Sequence, residues 1–326
     1  MNVLVTGATG FLGGNLLRML CYEGHSVRYL SRNGQSAIAA IDYPQAACYS
    51  GDLSDFNSLL SACKCVDWVF NAAAIVSSLE RDRAMIQQIN VEGTKLLFEA
   101  ARQSGVKRFI HVSTVDTIGI DTQSDCTNEE SKNDFSALNN PYSDTKKAAE
   151  DFLLSNKYSD IEVVIVNPGF MIGGFDTKGT SSRIVSEIMH HKGIFAPRGG
   201  NSFVDVTDVC RGAIVAAQKG RNGERYILAG HNLTYKEFFT QVAYLCNRMA
   251  PIAVLPPFLT LKLASLAEHL ALLIHKKPIV TRNDAFFSLL PHYYSSLKAE
   301  MELDYVINPL KPAIQEAINW YTLMRK

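Results

Sequence analysis

Apolar and polar positions alternate along this chain in two regular patterns. Short runs rich in β-branched and aromatic residues recur through the first 170 residues: NVLVTG, SVRYLS, ACYSGDL, VDWVFNAAA, VKRFIHVST and IEVVIVNPG. Between them lie longer amphipathic stretches such as FLGGNLLRMLCYEG and DTKKAAEDFLLSNK. Strands that alternate with helices in this way predict an α/β fold built on a doubly wound parallel sheet of the Rossmann type.

The alternation breaks after residue 170. It returns at SFVDVTDVCRGAIVAAQK and ERYILAG, and the remaining chain is mostly helical in pattern. We therefore predict two domains. The nucleotide-binding domain would comprise residues 1–170 plus 204–229, and a smaller, mostly helical substrate domain would comprise residues 171–203 plus 230–326.

Composition narrows the classes of function. The 326 residues are 47% hydrophobic, which is enough for a sizeable core, and 32 basic residues balance 32 acidic ones. This balance argues against binding to nucleic acid or to an acidic membrane surface. Seven cysteines without a paired spacing, and a start that lacks a signal-peptide pattern, predict a reduced cytoplasmic protein without a metal site.

The longest apolar stretch covers residues 251–275 and is interrupted by prolines and polar residues. No run of about 18 apolar residues remains, so we predict no membrane span. We interpret the stretch as a buried or substrate-facing helix, with contact to a membrane surface as the alternative.

A glycine-rich turn follows the first predicted strand and opens the first predicted helix. Glycines at this junction allow a tight turn and a close approach of the backbone to a pyrophosphate, which the helix N-terminus attracts. The spacing GxxGxxG is one residue longer than the usual dinucleotide fingerprint. The residues predicted to bind a dinucleotide here are Gly7, Thr9, Gly10, Phe11, Leu12 and Gly13.

The end of the second strand, SVRYLSRN, bears on the choice of cofactor. An NAD site usually carries an acidic residue at this point, whereas this chain has Arg32 and Asn33. Because a guanidinium suits a 2′-phosphate, we predict a preference for NADP(H), with NAD(H) as an alternative. Arg32 could instead be an ordinary solvated loop residue.

The segment NPYSDTK places Tyr142 and Lys146 four residues apart, on one face of a helix that Pro141 would begin. A nearby ammonium group, together with the positive ring of an oxidised nicotinamide, lowers the pKa of a phenol. Tyr142 could then exchange a proton with a substrate oxygen. By its spacing alone, the pair could equally be a surface contact. We assign no catalytic role to any histidine, and His25, His190 and His191 lie in a turn and a helix-like stretch.

With GATGFLG, SRN, GDL, NAAA, HVST, YSDTK and NPG in this order, the chain resembles the extended short-chain dehydrogenase/reductase family over nearly its whole length. The resemblance implies a Rossmann-type domain, a nicotinamide cofactor and catalysis by an Asn, Ser/Thr, Tyr and Lys set. Carried onto this sequence, the catalytic residues would be Asn90, Thr114, Tyr142 and Lys146.

The same resemblance implies further cofactor contacts. Asp52 and Leu53 would meet the adenine, and Ala72 and Ala73 would let the ribose and phosphates lie close. The remaining contacts would come from Ser113, Tyr142, Lys146, Pro168 and Gly169. The helices near 85–103 and 144–157 are where a homodimer would form.

The sequence departs from the family pattern at three positions: Thr114 replaces the commoner serine, Ile118 a frequent tyrosine, and Asn71 a frequent histidine. The division of roles between Ser113 and Thr114 stays open.

The segment from Gly199 to Phe239 resembles the dihydroflavonol-reductase-like branch of the family. Ser202 stands where enzymes of nucleotide-linked sugars often carry an arginine. We therefore predict an NADPH-dependent reductase that acts on a small-molecule ketone or aldehyde, with Tyr142 as proton donor. A nucleotide-sugar epimerase or dehydratase and a non-catalytic NADP(H) sensor are the alternatives.

Overall fold

The structure is a computed structural model that describes residues 1–32, 43, 45–121, 125–131, 140–157, 160–190, 195–273 and 280–324. Asn33 and His191, both named in the sequence analysis, lie outside these ranges.

A parallel sheet of seven strands forms the centre of the first part of the chain, in the order β3-β2-β1-β4-β5-β6-β10. Its strands are β1 (Asn2–Thr6), β2 (Ser26–Ser31), β3 (Ala47–Ser50), β4 (Trp68–Asn71), β5 (Arg108–Val112), β6 (Glu162–Pro168) and β10 (Glu224–Leu228). The predicted doubly wound parallel sheet is confirmed. The central strands are buried on both faces, which explains why they are almost continuously apolar in sequence.

Helices cover both faces of this sheet. One face packs against α1 (Phe11–Tyr22), α7 (Val206–Lys219) and α11 (Leu297–Leu303). The other packs against α2 (Phe56–Cys63), α4 (Gly93–Gln103) and α5 (Pro141–Ser155). Successive residues of β1 point to opposite sides, so Val3 and Val5 belong to the first core and Leu4 to the second.

One helical segment of the second layer is irregular. Helix α3 (Arg83–Ile86) continues through a π-helical turn, Gln87–Glu92, into α4. Such turns insert an extra residue and often occur at functional sites.

A second, smaller sheet is centred on β9 (Gly200–Asp205). Its neighbours are β7 (Phe170–Ile172), β11 (His231–Thr234) and β13 (Pro291–His292). A separate pair joins β8 (Phe195–Ala196) to β12 (Ala253–Val254). The helices of this part are α6 (Arg183–His190), α8 (Tyr235–Leu245), α9 (Pro257–Leu273), α10 (Arg282–Phe287) and α12 (Leu310–Leu323).

The two parts of the chain are interleaved. The expected boundary between residues 203 and 204 falls within β9, and α11 packs on the first sheet. The division into two domains therefore stays a prediction. Among the described residues, none of the helices is long and apolar enough to cross a membrane.

Glu150 anchors α5 to the sheet from a fully buried position. Its Oε1 accepts hydrogen bonds from Thr117 Oγ1 and Asn167 Nδ2, both at 2.7 Å. Its Oε2 lies 3.5 Å from Nη1 of Arg225 in β10. The carboxylate holds the helix in place because it is an acceptor that donors from three other parts of the chain share.

Replacing Glu150 with alanine should therefore destabilise the protein by about 1–3 kcal/mol, since it removes a buried acceptor that Thr117, Asn167 and Arg225 share. Urea unfolding of Glu150→Ala against the unaltered protein measures the loss. The control is Asp151→Ala, an exposed acid on the same helix, which should change stability by less than about 0.5 kcal/mol. Equal effects of the two substitutions would contradict the anchoring role.

Candidate active site

The glycine turn lies where β1 and β4 adjoin at the centre of the sheet. Connections from these two strands leave in opposite directions, which is the point where ligands bind in open α/β sheets. Gly7 has a φ of 73°, and a Cβ atom there would lie 2.7 Å from the backbone of Ala72 and Ala73. At Gly13 a Cβ would lie 2.4 Å from the carbonyl oxygen of Gly7. Both positions thus require glycine.

The first turn of α1 begins beside this glycine turn. Gly10 caps the helix, so the backbone N–H groups of the next three residues have no partner within the helix. The side chains of Phe11 and Leu12 are buried in the core, and these two residues could therefore meet a phosphate only through their backbone. Thr9 is exposed at the turn.

Two charged residues, Arg32 and Asp52, lie just after the carboxyl ends of β2 and β3. Asp52 accepts hydrogen bonds from the hydroxyl of Ser54 at 2.6 Å and from its backbone N–H at 2.8 Å. These bonds, with a smaller effect of Arg32, hold the pKa of Asp52 below its usual value. Arg32 is exposed at the end of β2, and Leu53 is buried against Gly93. The structure thus places Arg32, Asp52 and Leu53 close together.

Tyr142 and Lys146 lie on the first turns of α5, as the spacing predicts. Asn140 caps this helix by accepting a hydrogen bond from the N–H of Tyr142 at 3.0 Å, and Pro141 occupies the first helical position. Tyr142 is partly exposed, whereas Lys146 is only 1% exposed. Lys146 Nζ donates to the carbonyl oxygen of Val112 at 2.6 Å and lies 3.2 Å from Nε2 of His111.

Burial controls the pKa values of this pair. It lowers the pKa of Lys146 to about 8, against the opposing effect of Glu150. Burial also raises the pKa of Tyr142, and the negative charge of Asp116 adds to the rise. Among the protein groups, burial and Asp116 therefore raise the pKa of Tyr142, and the predicted lowering, which also needs the positive ring of an oxidised nicotinamide, stays a prediction.

Ser113 and Thr114 follow directly after β5. Thr114 Oγ1 accepts a hydrogen bond from the N–H of Asp116 at 3.3 Å, which leaves the hydroxyl proton free to donate. The Oγ atom of Ser113 is buried and has no hydrogen-bond partner in the described parts of the chain. Pro168 ends the adjacent strand β6, and Gly169 follows at the same edge, where a Cβ would lie 2.7 Å from the carbonyl oxygen of Ser202.

Asn90 lies in the π-helical turn and does not contact Lys146. Its amide exchanges two hydrogen bonds with the backbone of Ile75, at 2.8 and 3.0 Å. It also donates to Thr145 Oγ1 at 3.2 Å. Asn90 therefore ties the chain after β4 to helix α5, one residue away from the lysine.

Two buried polar residues near Lys146 have no role in the sequence-based prediction, although Asn71 is one of its three departures from the family pattern. His111 and Asn71 are fully buried on β5 and β4, and Asn71 Nδ2 lies 3.2 Å from His111 Nδ1. His111 contacts the lysine side chain and can act on the site only through it, so the expectation that no histidine is catalytic stays a prediction. A single polar residue inside an otherwise apolar strand, as in RFIHV, is the signal that could have found it.

This constellation fits a nicotinamide dinucleotide. The glycine turn offers close backbone approach, the first turn of α1 offers free N–H groups, and Ser113 offers a buried hydroxyl without a partner. Among the described residues, no group of three or more His, Cys, Asp and Glu side chains is arranged to hold a metal ion.

Comparisons with known proteins agree with this fit. The model of the NAD dependent epimerase/dehydratase family matches residues 3–229. The chain is 30% identical to "Sterol demethylase protein B" of Methylococcus capsulatus, over 98% of each chain. It is 28% identical to the "Putative dihydroflavonol 4-reductase" of Synechocystis, over 97% of this chain and 93% of that one.

Among solved structures, the crystal structure of gox2253 is 31% identical, with a TM-score of 0.85 over 99% of this chain and 98% of that one. UDP-glucose 4-epimerase from Thermotoga maritima, solved with UDP-glucose, shares the fold at 18% identity, with a TM-score of 0.79 over the full length of both chains.

The matched family is one of oxidoreductases, dehydratases and epimerases that bind a nicotinamide cofactor and act on CH–OH or carbonyl groups. The family model covers more than half of the chain, and a full-length relative reaches 30% identity. This chain therefore belongs to the NAD dependent epimerase/dehydratase family, within the extended short-chain dehydrogenases/reductases.

Proposed function

We propose that this protein is an NADP(H)-dependent reductase that converts a ketone or aldehyde into an alcohol, with Tyr142 as proton donor. The observation that carries the proposal is the arrangement at the start of α5. A partly exposed phenol lies one helical turn from a buried lysine, and Thr114 has a hydroxyl proton free to donate. This is the set of groups that general acid catalysis at a carbonyl needs.

Each side chain has a separate task in this reaction. The Thr114 hydroxyl donates a hydrogen bond to the carbonyl oxygen and so polarises it. Tyr142 transfers its phenolic proton to that oxygen, and the ammonium form of Lys146 stabilises the phenolate that remains. The nicotinamide cofactor, when bound, supplies the hydride that the carbonyl carbon receives. The raised pKa of Tyr142 keeps the phenol protonated beforehand.

Two features support a mostly apolar substrate. Phe170 and Met171 follow the carboxyl end of β6 and are both half-buried. Ser202, which stands where a sugar-nucleotide enzyme often has an arginine, is fully buried and accepts a hydrogen bond from the N–H of Gly230 at 3.1 Å. It therefore offers no cation to a diphosphate. The names of relatives, which include a 3-beta-hydroxysteroid dehydrogenase, agree with an apolar ketone or alcohol.

The preference for NADP(H) rests on Arg32. Strand β2 carries no acidic residue, and Arg32 is exposed at its end, close enough to Asp52 to affect the pKa of that carboxyl group. A guanidinium in this place can pair with a 2′-phosphate, which an acidic residue would repel.

The first test is consumption of NADPH, followed by near-ultraviolet absorbance, against a panel of aromatic, aliphatic and steroid-like ketones and aldehydes. We expect Tyr142→Phe to reduce turnover by about 10²–10⁴-fold because the carbonyl oxygen loses its proton donor. NADPH binding, measured by fluorescence, should stay within about threefold, since the phenyl ring keeps the same shape. The control is Tyr244→Phe, which removes an exposed hydroxyl on α8 and should leave the rate unchanged.

Turnover of Tyr142→Phe within about tenfold of the unaltered protein would contradict its role as proton donor. Absence of NADPH consumption across the panel, combined with protection by a nucleotide sugar, would instead favour an epimerase or dehydratase.

Arg32→Glu should weaken NADPH binding by about 10–100-fold, because a charge-assisted hydrogen bond to phosphate contributes roughly 1.5–3 kcal/mol. NADH binding should change by less than about threefold. Titration of both cofactors measures the difference. The control Arg102→Glu makes the same change of charge at the carboxyl end of α4, which leads to the amino end of β5. It should change the binding of neither cofactor. Equal weakening of both cofactors by Arg32→Glu would refute the NADP(H) assignment.

The rate of reduction should depend on the protonation of Lys146. The ammonium form supports proton transfer and exists below its pKa of about 8, so kcat/KM should be level below that pH and fall about tenfold per unit above it. A pH profile of NADPH-dependent reduction measures this fall. Lys147→Met, which removes an amine from the adjacent position of α5, should leave the profile in place. A profile without a fall up to about pH 10 would contradict the dependence.

A further inference from the structure

A chain of buried polar side chains leads from the glycine turn to Lys146. It runs from Thr6 on β1 through Asn71 on β4 and His111 on β5, all three of them fully buried. The spacings are 2.9 Å from Thr6 Oγ1 to Asn71 Oδ1, 3.2 Å from Asn71 Nδ2 to His111 Nδ1 and 3.2 Å from His111 Nε2 to Lys146 Nζ. The donor and acceptor in each of these hydrogen bonds can be assigned from the neighbouring threonine hydroxyls and backbone groups.

Two threonine hydroxyls determine the orientation of the Asn71 amide. Thr6 Oγ1 accepts a hydrogen bond from the N–H of Ala73 at 3.2 Å and donates its own proton to Asn71 Oδ1 at 2.9 Å. On the other side, Thr94 Oγ1 lies 2.7 Å from the carbonyl oxygen of Asn90, and its proton must lie between these two oxygens. Thr94 therefore accepts from the Asn71 amide nitrogen at 3.0 Å.

The orientation of Asn71 in turn selects the tautomer of His111. The amide nitrogen of Asn71 faces His111 Nδ1 as a donor, so Nδ1 must accept and carries no proton. Burial and the charge of Lys146 lower the pKa of His111 well below its usual value, which excludes a doubly protonated ring. The single ring proton consequently lies on Nε2.

The Nε2 proton of His111 faces the nitrogen of Lys146. An ammonium group has three donors and no acceptor, whereas a neutral amine has a lone pair that can accept this proton. The neutral amine still donates to the carbonyl oxygen of Val112. The hydrogen-bond pattern is complete only with a neutral Lys146.

We propose that His111 is a positioning residue that donates its Nε2 proton to Lys146 and so stabilises the neutral amine over the ammonium form. Its consequence for the reaction rests on the proposed function: His111 sets the pH at which Lys146 stops supporting Tyr142. The Thr6 end of the chain accepts a hydrogen bond from the N–H of Ala73, beside the glycine turn.

Other charged groups act on the lysine from the elements around it. Glu150, one turn further along α5, favours the ammonium form. Tyr142 is one turn back on the same helix, and Asp116 from the short turn after β5 acts on Tyr142. None of these groups donates a hydrogen bond to Lys146, so His111 is the described residue whose substitution removes a donor from the amine.

The test uses nuclear magnetic resonance on the full-length protein without substrate. Long-range proton–nitrogen correlations of ¹⁵N-histidine report the tautomer, and the ¹³Cε shift of labelled lysine, assigned with Lys146→Met, reports the titration of Lys146. We expect His111 to carry its proton on Nε2 at about pH 9.5, above the Lys146 midpoint. A proton on Nδ1 at this pH would overturn the proposal.

His111→Gln supplies the matched variant because its amide oxygen can accept from an ammonium group. The Lys146 midpoint should rise by about one pH unit, the amount that one hydrogen bond contributes. The alkaline fall in reduction should move by the same amount. The control is His25→Gln. His25 lies in the turn before β2, at the amino end of that strand, and its substitution should move neither the Lys146 midpoint nor the alkaline fall.

An unmoved Lys146 midpoint in folded His111→Gln would refute the role of His111. If His111→Gln does not fold, the tautomer measured in the unaltered protein still decides. Because both resonance measurements need no turnover, a protein that reduces no carbonyl but shows the expected tautomer and midpoint would refute the reductase and support His111.

Discussion

The site depends on the burial of Lys146 against strand β5. An ammonium group placed in the interior loses much of its hydration, so the protein must either pair it or let it lose its proton. Here its neighbours are one backbone carbonyl oxygen and one imidazole, and the nearby carboxylate, Glu150, is engaged by other donors. The lysine side chain is therefore held in one place, and its pKa is lowered to about 8. Its protonation consequently changes within the slightly alkaline range of pH.

The same burial acts on Tyr142 in the opposite sense. Removing a phenol from water disfavours the phenolate, and Asp116 disfavours it further. A tyrosine in this environment keeps its proton but is a weaker acid, so in the proposed reaction the ammonium form of Lys146 must stabilise the phenolate that donation leaves. Because Asp116 interacts with His292 of the second sheet, the acidity of Tyr142 depends on how that sheet meets the first.

The two sheets divide the work of the site. The large sheet places the glycine turn, Arg32, Asp52 and helix α5 along the carboxyl ends of its strands, where a dinucleotide binds in open α/β sheets. The small sheet, centred on β9, carries the residues that we propose face a substrate, and its Ser202 is buried. The proposed preference for an apolar carbonyl compound is a property of this second part.

The amino-acid sequence by itself determined the large sheet and the local parts of the site. Buried parallel strands must be apolar on both faces, the turn at Gly7 has a positive φ that favours glycine, and residues four apart on a helix share a face. These are short-range constraints, so the sheet, the glycine turn and the Tyr142–Lys146 pair are visible in the printed residues. Only the tertiary structure decided which residues meet across strands. Asn71 and His111 are 40 positions apart and touch because β4 and β5 are neighbours in the sheet. The pKa values of Lys146 and Tyr142 likewise follow from burial, which is created by the packing of the whole chain and is not contained in any local pattern.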